Sequence, residues 1–247
     1  MIKKIQNRIL LFRIFIIKKL LLFLGFIDIR GHWIYAPGLN SDSVLIDLGA
    51  NLGEFSKSVN KLYDNKCYLI EPNFELFKNI NDCALKLNVA ITSKDGIVKF
   101  NMSKNHEASS LIFNFENKWG HEDALMVEGI SWKTCLNRLN LIDSKINILK
   151  IDIEGGELDL IESFTDADLK KIDQLTIEFH DWINWELHTR TISAIKKLIS
   201  KGYLFFSSTP NHLWPLEIVF IKREQMSLSI IQKINLYLLS KIMFLKY

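Results

Sequence analysis

Cysteine and proline are scarce in this chain, and a long uncharged apolar run is absent. Its 247 residues include three cysteines and four prolines, and the cysteines lie too far apart for a C-x-x-C metal or redox motif. These shortages exclude a disulfide-rich secreted domain and favour a reducing compartment. With 48% hydrophobic and 24% charged residues, the chain can bury a core, which excludes an intrinsically disordered protein.

Charge is unevenly distributed along the chain. Residues 1–30 contain seven Lys or Arg and one Asp, and residues 222–247 contain five Lys or Arg and one Glu. The net charge of +3 therefore combines two basic ends with an acidic body over residues 31–221. An acidic body lacks the basic surface that binds DNA and RNA, so we expect no nucleic-acid partner.

Both basic ends are also apolar. The longest uncharged stretch in the first, Leu20–Ile27, has eight residues, whereas a membrane-spanning helix needs about 20, and the segment lacks a signal-peptide pattern. We predict basic amphipathic helices over 1–30 and 223–247, flanking a catalytic domain over 31–222. Such helices suit an anionic membrane surface, and packing on the domain or on a second copy in a homo-oligomer explains them equally well. The expected location is cytoplasmic, either free or peripheral on the inner membrane face.

The most informative segment, residues 44–54, predicts a strand, a tight turn and a helix. An apolar run ends in Asp47, Gly49 and Gly53 follow, and helical spacing begins at Phe55. Glycines allow a sharp turn close to a ligand, and the helix start offers free N–H groups. A dinucleotide loop has glycine where Asp47 stands, so a nicotinamide-dependent oxidoreductase is the less favoured alternative. The acid suits a cationic ligand group, such as the amino group or sulfonium of S-adenosylmethionine.

A second acid supports the same ligand. Residues 67–70 predict the next strand, which ends in Glu71, 18 residues after Gly53. An acid near this spacing and at a strand end is where a ribose diol is held. A non-catalytic, membrane-associated binding module that keeps the fold is a further alternative, which the intact set of acids and glycines argues against.

Alternating strand and helix patterns predict a parallel sheet with right-handed crossovers. Residues 203–208 and 216–222 leave no room for a crossover helix, so we expect an antiparallel hairpin there, at one edge. We also expect a linker over 31–40 and a hairpin around Gly96. The irregular stretch 93–130 is expected to form part of the acceptor pocket.

Charged residues occur on two strands that should be buried. Period-two alternation places Lys150, Asp152 and Glu154 on one face of strand 146–153, and Glu178 and His180 on one face of the strand over 174–180. Buried charges are costly unless they are paired or functional. A structural Lys150–Glu178 pair with a core histidine is the alternative to a catalytic group.

Several motifs together resemble the FkbM-type methyltransferase family. The resemblance extends from about residue 44 to about residue 220, outside the basic ends, and Gly156 stands where the family more often has Ala. The matching runs are Leu149–Glu157 (LKIDIEGGE), Ile46–Gly53 (IDLGANLG), Glu71-Pro72, Asn88–Ile91, Lys94–Gly96 and Ser109–Leu111.

The resemblance implies a doubly wound, mostly parallel seven-stranded sheet of the class I methyltransferase (Rossmann-like) type, and O-methylation of a sugar or another small molecule with S-adenosylmethionine. It also assigns site residues. Asp47, Gly49, Asn51 and Gly53 would form the loop at the methionine end, Glu71 would hold the ribose, Asn88, Val89 and Ala90 would flank the adenine, and Asp152 would lie beside the methyl group.

Methyl transfer requires alignment of the reacting atoms and removal of a proton from the acceptor, for which a positioned base contributes about 10²–10⁴-fold. His180 is the natural candidate because an unperturbed histidine has a pKa of about 6.5, and Asp152 is the alternative. Lys150 and Glu154 complete the predicted catalytic group. Asp152, Glu154 and His180 could instead hold a divalent metal, which we favour less.

Overall fold

The computed structural model describes residues 2–80, 85–100, 125–181, 185–207 and 216–243. The chain begins with helix α1 (Ile2–Leu24), followed by the strands β1 (Phe26–Ile29) and β2 (His32–Tyr35), which pair antiparallel. Their turn has positive φ at Arg30 (54°) and Gly31 (95°), as a two-residue hairpin turn requires. The predicted linker over 31–40 therefore contains a strand, and the boundary at residue 30 falls inside a hairpin.

The remaining elements alternate largely as the sequence predicts, with α6 as an addition. That short helix begins at a capping box, in which Thr165 and Asp168 satisfy each other's backbone N–H groups. In chain order the elements are β3 (Val44–Leu48), α2 (Glu54–Tyr63), β4 (Lys66–Ile70), α3 (Phe74–Phe77), β5 (Leu85–Leu87), β6 (Ala90–Ile91), β7 (Gly96–Phe100), β8 (Leu125–Ile130), α4 (Trp132–Arg138), β9 (Ile148–Ile151), α5 (Glu157–Ser163), α6 (Asp166–Lys171), β10 (Gln174–Phe179), α7 (Trp185–Ser200), β11 (Tyr203–Phe206), β12 (Leu216–Lys222) and α8 (Ile230–Met243).

Seven strands form the main sheet, in the order β11-β12-β10-β9-β3-β4-β5. The pairs from β10 to β5 are parallel, whereas β12 is antiparallel to both of its neighbours. The sheet is therefore mixed, and its last two strands pair antiparallel as the short connection between them predicts. The carboxyl ends of β3, β4, β9 and β10 consequently meet at one edge.

A separate three-stranded sheet has the order β6-β8-β7. Gly96 opens β7 and lies opposite Gly129 of β8, so the predicted hairpin around Gly96 is wrong: the partner strand comes from far along the chain. The expected Ser109–Leu111 motif, and most of the expected acceptor wall, lie outside the described residues.

Helix α1 contributes its inner face to the protein core. Ile17, Leu21 and Leu24 are fully buried and pack in one cluster with side chains from the β1–β2 hairpin and from β11 and β12. The helix also packs beside α8. Among the described residues, each helix is too short or too polar to cross a membrane.

Candidate active site

A cavity of about 460 Å³ opens at the carboxyl ends of β3, β4, β9 and β10. A larger cavity, of about 930 Å³, lies at the opposite ends of the strands, between Tyr203, Lys222 and α8. We assign the candidate site to the smaller one, because ligands of open α/β sheets bind beyond the carboxyl ends of the strands. It is also the cavity that the predicted motifs line.

The loop after β3 presses against the end of β9. Gly49, Asn51 and Gly53 all have positive φ, at 77°, 53° and 73°. A Cβ at Gly49 would overlap the backbone carbonyl oxygen of Asp152, and one at Gly53 would come within 2.9 Å of the Leu69 side chain. Gly49 and Asn51 line the cavity, so glycine is required at 49 by both its conformation and its close packing.

Glu71 links this loop to the next one. Its buried carboxylate accepts hydrogen bonds from the backbone N–H groups of Asn51 and Asn73, both at 2.8 Å. Burial raises the pKa of Glu71 to about 7, although the two backbone hydrogen bonds lower it. Each carboxylate oxygen keeps a further lone pair, so Glu71, which lines the cavity, can still accept from a hydroxyl pair.

The predicted adenine residues divide into two roles. The Asn88 side-chain amide donates to the carbonyl oxygens of Glu71 (2.8 Å) and Pro72 (3.0 Å), so Asn88 fixes the loop after β4. Val89 and Ala90 instead line the cavity with apolar surface. Asn88 therefore acts on the shape of the site, and its two neighbours form part of its wall.

Asp47 lies behind the cavity wall. Its side chain is fully buried, accepts a hydrogen bond of 2.7 Å from Ser56 Oγ and lies 3.3 Å from Lys150 Nζ. The expectation that this carboxylate faces a cationic ligand group is therefore not met. Asp47 serves instead as a counter-ion for Lys150.

Lys150 joins the ends of two strands. Its ammonium group lies 3.1 Å from the carbonyl oxygen of Gly49, 3.2 Å from Asp152 Oδ2 and 3.3 Å from Asp47 Oδ1. Burial lowers the pKa of Lys150, but attraction by Asp152 and Asp47 outweighs it and the net shift is upward. The expected alternative pair with Glu178 is replaced by these contacts. A lysine held protonated cannot accept a proton, so Lys150 positions the two loops.

Asp152 is an ionised carboxylate of the cavity wall. Burial raises the pKa of Asp152, but the charges of Lys150 and then His180 lower it by more, so the net shift is downward. Its Oδ2 is held by Lys150, and the residue lines the cavity directly beside Gly49. Asp152 therefore presents a fixed negative charge where the two loops meet.

His180 is enclosed by carboxylates. Its Nδ1 lies 2.9 Å from Glu157 Oε1 and its Nε2 lies 3.2 Å from Glu154 Oε2. Burial lowers the pKa of His180, but Glu157, Glu154 and Asp152 outweigh burial and raise it to about 10. An imidazolium has no lone pair, so these contacts argue against His180 as the general base, and its role stays a prediction. Asp152, Glu154 and His180 also bring possible metal-ligand atoms within 4.8 Å of one another, and a metal there would have to displace the proton of His180.

Glu157 is a site residue that the sequence reasoning missed. Its buried carboxylate accepts from the backbone N–H groups of Gly155 (2.9 Å) and Ile153 (3.2 Å), as well as facing His180. It thereby fixes the turn after β9. An acid directly after Gly155-Gly156, at the start of a helix with free N–H groups, was the signal that could have identified it.

Three further acids lie on or beside the cavity wall. Glu154 and Glu178 line it, and Glu217 lies opposite Glu178 in the β10–β12 register. Burial raises the pKa of Glu178 to about 7 and those of Glu154 and Glu217 to about 8. Glu154 also has a φ of 52°, an uncommon conformation for a residue other than glycine, which often marks a functional site.

His32 is the second missed residue. It lines the cavity from β2, with Nε2 3.8 Å from Asp152 Oδ2 and Nδ1 3.3 Å from Glu217 Oε1. Burial and the Lys150 charge lower its pKa to about 4, so His32 is neutral near pH 7. Together with Asp152 and Glu178, His32 forms a second group of side chains whose possible metal-ligand atoms lie within 4.8 Å of one another. The run of aromatic and aliphatic residues after Gly31 was a strand signal that the linker interpretation overlooked.

Comparisons with known proteins identify relatives of this chain. The methyltransferase FkbM domain matches residues 47–205, more than half of the chain. A curated relative is the hexuronic acid methyltransferase AglP of Haloferax volcanii, which is 24% identical over 166 residues, covering 63% of this chain and 63% of the relative. The chain thus spans less than two thirds of that relative.

Solved structures show weaker similarity. A precorrin-6y C5,15-methyltransferase from Geobacter metallireducens is 10% identical, with 74% of this chain and 81% of that chain covered and a TM-score of 0.40. An rRNA methylase from Streptococcus thermophilus is 10% identical, with 74% and 88% covered and a TM-score of 0.41. At these scores the structural similarities carry no argument about function.

Proposed function

This chain belongs to the FkbM methyltransferase family, and we propose that it transfers a methyl group from S-adenosylmethionine to a hydroxyl oxygen of a sugar or similar small molecule. The observation that carries the proposal is one cavity with two different sides. A glycine loop and Glu71 form one side, and an acidic wall forms the other. The relative named for hexuronic acids supports the choice of a sugar. A fold of the doubly wound, mostly parallel class I type, with its catalytic domain over 31–222, is part of the proposal.

The cofactor side fits S-adenosylmethionine in its chemistry. Gly49 lets the loop lie directly against the Asp152 backbone at the edge of the cavity, and Glu71 offers free lone pairs for the ribose hydroxyls. Val89 and Ala90 supply an apolar wall for the adenine. When bound, S-adenosylmethionine supplies an electrophilic methyl group on a sulfonium. The ionised Asp152 beside Gly49 is placed to favour that positive charge.

The acceptor side must bind a hydroxyl group and remove its proton. We assign the role of general base, which accepts this proton, to Glu178. A general base works best with a pKa near the operating pH, and the pKa of Glu178, which lines the cavity, is raised to about 7. Its carboxylate would take the hydroxyl proton as the methyl group passes to the acceptor oxygen and its bond to sulfur breaks, which leaves the sulfur as a neutral thioether. Lys150 and Glu157 keep the two loops in place, because each contacts both backbone and a charged partner.

The test compares two isosteric substitutions. Glu178→Gln should lower kcat by roughly 100-fold or more, the effect of removing a general base, and should leave the Kd for S-adenosylmethionine unchanged. Glu128→Gln is the matched control, since Glu128 is an exposed partner of Arg138, and its kcat should be unchanged. Products are followed by mass spectrometry on a panel of neutral, amino and uronic acid sugars.

Three results would contradict the proposal. A methyl group found on nitrogen or carbon would exclude O-methylation. A Glu178→Gln variant with the kcat of the Glu128→Gln control would remove Glu178 from the mechanism. Binding of S-adenosylmethionine without transfer to any sugar in the panel would favour the non-catalytic binding module.

A further inference from the structure

Helix α1 is apolar on two faces, and packing on the protein uses only one of them. Its inner face is buried in the core through residues such as Ile17 and Leu21. The outer face exposes five large apolar side chains, which fall within an arc of about 120° at 3.6 residues per turn. Their exposed fractions are 64% for Leu11, 65% for Phe12, 54% for Phe15, 49% for Leu22 and 52% for Phe23.

Helix α8 extends this surface. The Gln232 side-chain amide donates to the carbonyl oxygen of Phe23 at 3.3 Å, and the same end of α8 exposes three isoleucines. Ile230, Ile231 and Ile234 are 77%, 64% and 56% exposed. We call these eight apolar side chains of α1 and α8 the terminal patch. Exposed apolar side chains gathered on two adjacent helices indicate a site of interaction.

Basic side chains lie among the apolar side chains of the terminal patch. Arg8 and Lys19 lie on the same arc of α1, Lys18 lies at its edge, and all three are exposed, while Lys233 lies beside Ile234 on α8. Residues 2–24 contain no acidic residue. The acid that approaches these cations is Asp28, at 3.8 Å from Lys18. Exposed aromatic and aliphatic side chains interspersed with lysines are typical of helices that lie in a membrane interface.

We propose that the terminal patch binds an anionic phospholipid surface, with α1 lying in the interface. Two binding partners fit such a patch on chemical grounds: a lipid surface and a second copy of this chain. A symmetric dimer pairs a patch with itself, which would bring the cations of α1 together and is unfavourable. An anionic leaflet supplies the opposite charge, and each Lys or Arg near it contributes about fivefold to binding. The proposal is independent of the methyl transfer reaction.

Flotation of the full-length protein with lipid vesicles tests the proposal. We expect the protein to float with vesicles of equimolar phosphatidylcholine and phosphatidylserine and to bind phosphatidylcholine vesicles far more weakly. Point variants are preferable to truncation, because removal of α1 would uncover core residues such as Phe26. Lys18→Gln with Lys19→Gln should weaken binding to the anionic vesicles by about 30-fold. Phe12→Ser with Phe15→Ser should weaken it by roughly tenfold or more per ring.

Matched controls come from exposed residues elsewhere. Leu62 and Ile97 are 59% and 66% exposed, and Leu62→Ser with Ile97→Ser should bind as the wild type does. Lys61→Gln with Lys133→Gln is the charge control, with the same expected result. Circular dichroism checks that each variant is folded.

Three outcomes would overturn the proposal. The wild type could fail to float, or the patch variants could float as well as the controls do. The protein could also form a concentration-dependent dimer that Phe12→Ser with Phe15→Ser dissociates, in the absence of lipid binding. The last outcome would assign the terminal patch to contacts between copies.

Discussion

Substitution of Glu157 by glutamine tests the charge arrangement behind the cavity. The Glu157 carboxylate accepts from Gly155 N–H with both oxygens, at 2.9 and 3.1 Å, and from Ile153 N–H at 3.2 Å. It also faces His180 Nδ1 at 2.9 Å. A glutamine of the same shape keeps one acceptor and turns an NH₂ group toward these donors. The protonated His180 would then lose the counter-ion that chiefly raises its pKa.

We expect Glu157→Gln to lower the free energy of unfolding by about 3–5 kcal/mol, the usual effect of removing one partner from a buried ion pair. For a chain of this size each 1 kcal/mol corresponds to about 2–4 °C in Tm, so the expected decrease is roughly 6–20 °C. Urea unfolding followed by circular dichroism measures the first quantity, and thermal unfolding measures the second.

Glu162→Gln is the matched control on the same helix. Glu162 pairs with Arg190 at 2.8 Å, but both side chains are solvent-exposed, at 50% and 38%. Water screens such a pair, so its removal should cost less than about 1 kcal/mol. The double variant Glu157→Gln with His180→Gln should cost less than the sum of its single variants, because the two groups interact. If Glu157→Gln costs no more than the control, the proposed ion pair does not stabilise the site.

Two further predictions concern pH and metal ions. Folding raises the pKa of five groups: to about 7 or 8 for Glu71, Glu154, Glu178 and Glu217, and to about 10 for His180. The folded protein therefore holds more protons than the unfolded chain near these pH values, and its stability must fall as the pH rises through them. The lowered pKa of His32 has the opposite effect on stability, but only below pH 6.5. Urea unfolding should therefore give a smaller free energy of unfolding at about pH 9 than at about pH 6.5. An equal or larger value at the higher pH would contradict the assigned shifts. Turnover should survive EDTA, because Lys150 already holds the Oδ2 atom of Asp152 at 3.2 Å, and a loss of kcat that Mg²⁺ or Mn²⁺ restores would assign a metal to His32, Asp152 and Glu178.

Local patterns in the sequence predicted the central strands and the glycine loop because each has a strong local cause. The apolar runs before Asp47, Glu71 and Asp152 can only be buried strands, and parallel strands end at the same edge. Gly49 and Gly53 were predictable because a tight turn into a helix requires their conformation. These features need no knowledge of distant contacts.

Other features depend on contacts that the sequence does not display. The strands β7 and β8 pair across a long separation, so Gly96 was mistaken for the turn of a local hairpin. His32 reaches the cavity only because the β1–β2 hairpin packs beside the sheet. The pKa of His180 is raised chiefly by Glu157, 23 positions away in the chain, so its unperturbed pKa was a poor guide to its protonation. The burial of Asp47 behind Lys150 likewise follows from strand pairing.

Isothermal titration with S-adenosylmethionine, and separately with NAD, tests the central claim that the glycine loop and Glu71 form a cofactor site. The wild type should bind S-adenosylmethionine at one site and should not bind NAD. Gly49→Ala should weaken binding more than about tenfold, because a Cβ there would overlap the Asp152 carbonyl oxygen. Gly38→Ala is the matched control: its φ is also positive, at 88°, but the space around its Cβ is open, and it should bind as the wild type does. A wild type that binds NAD or fails to bind S-adenosylmethionine, or a Gly49→Ala variant that binds as tightly as the control, would contradict the account.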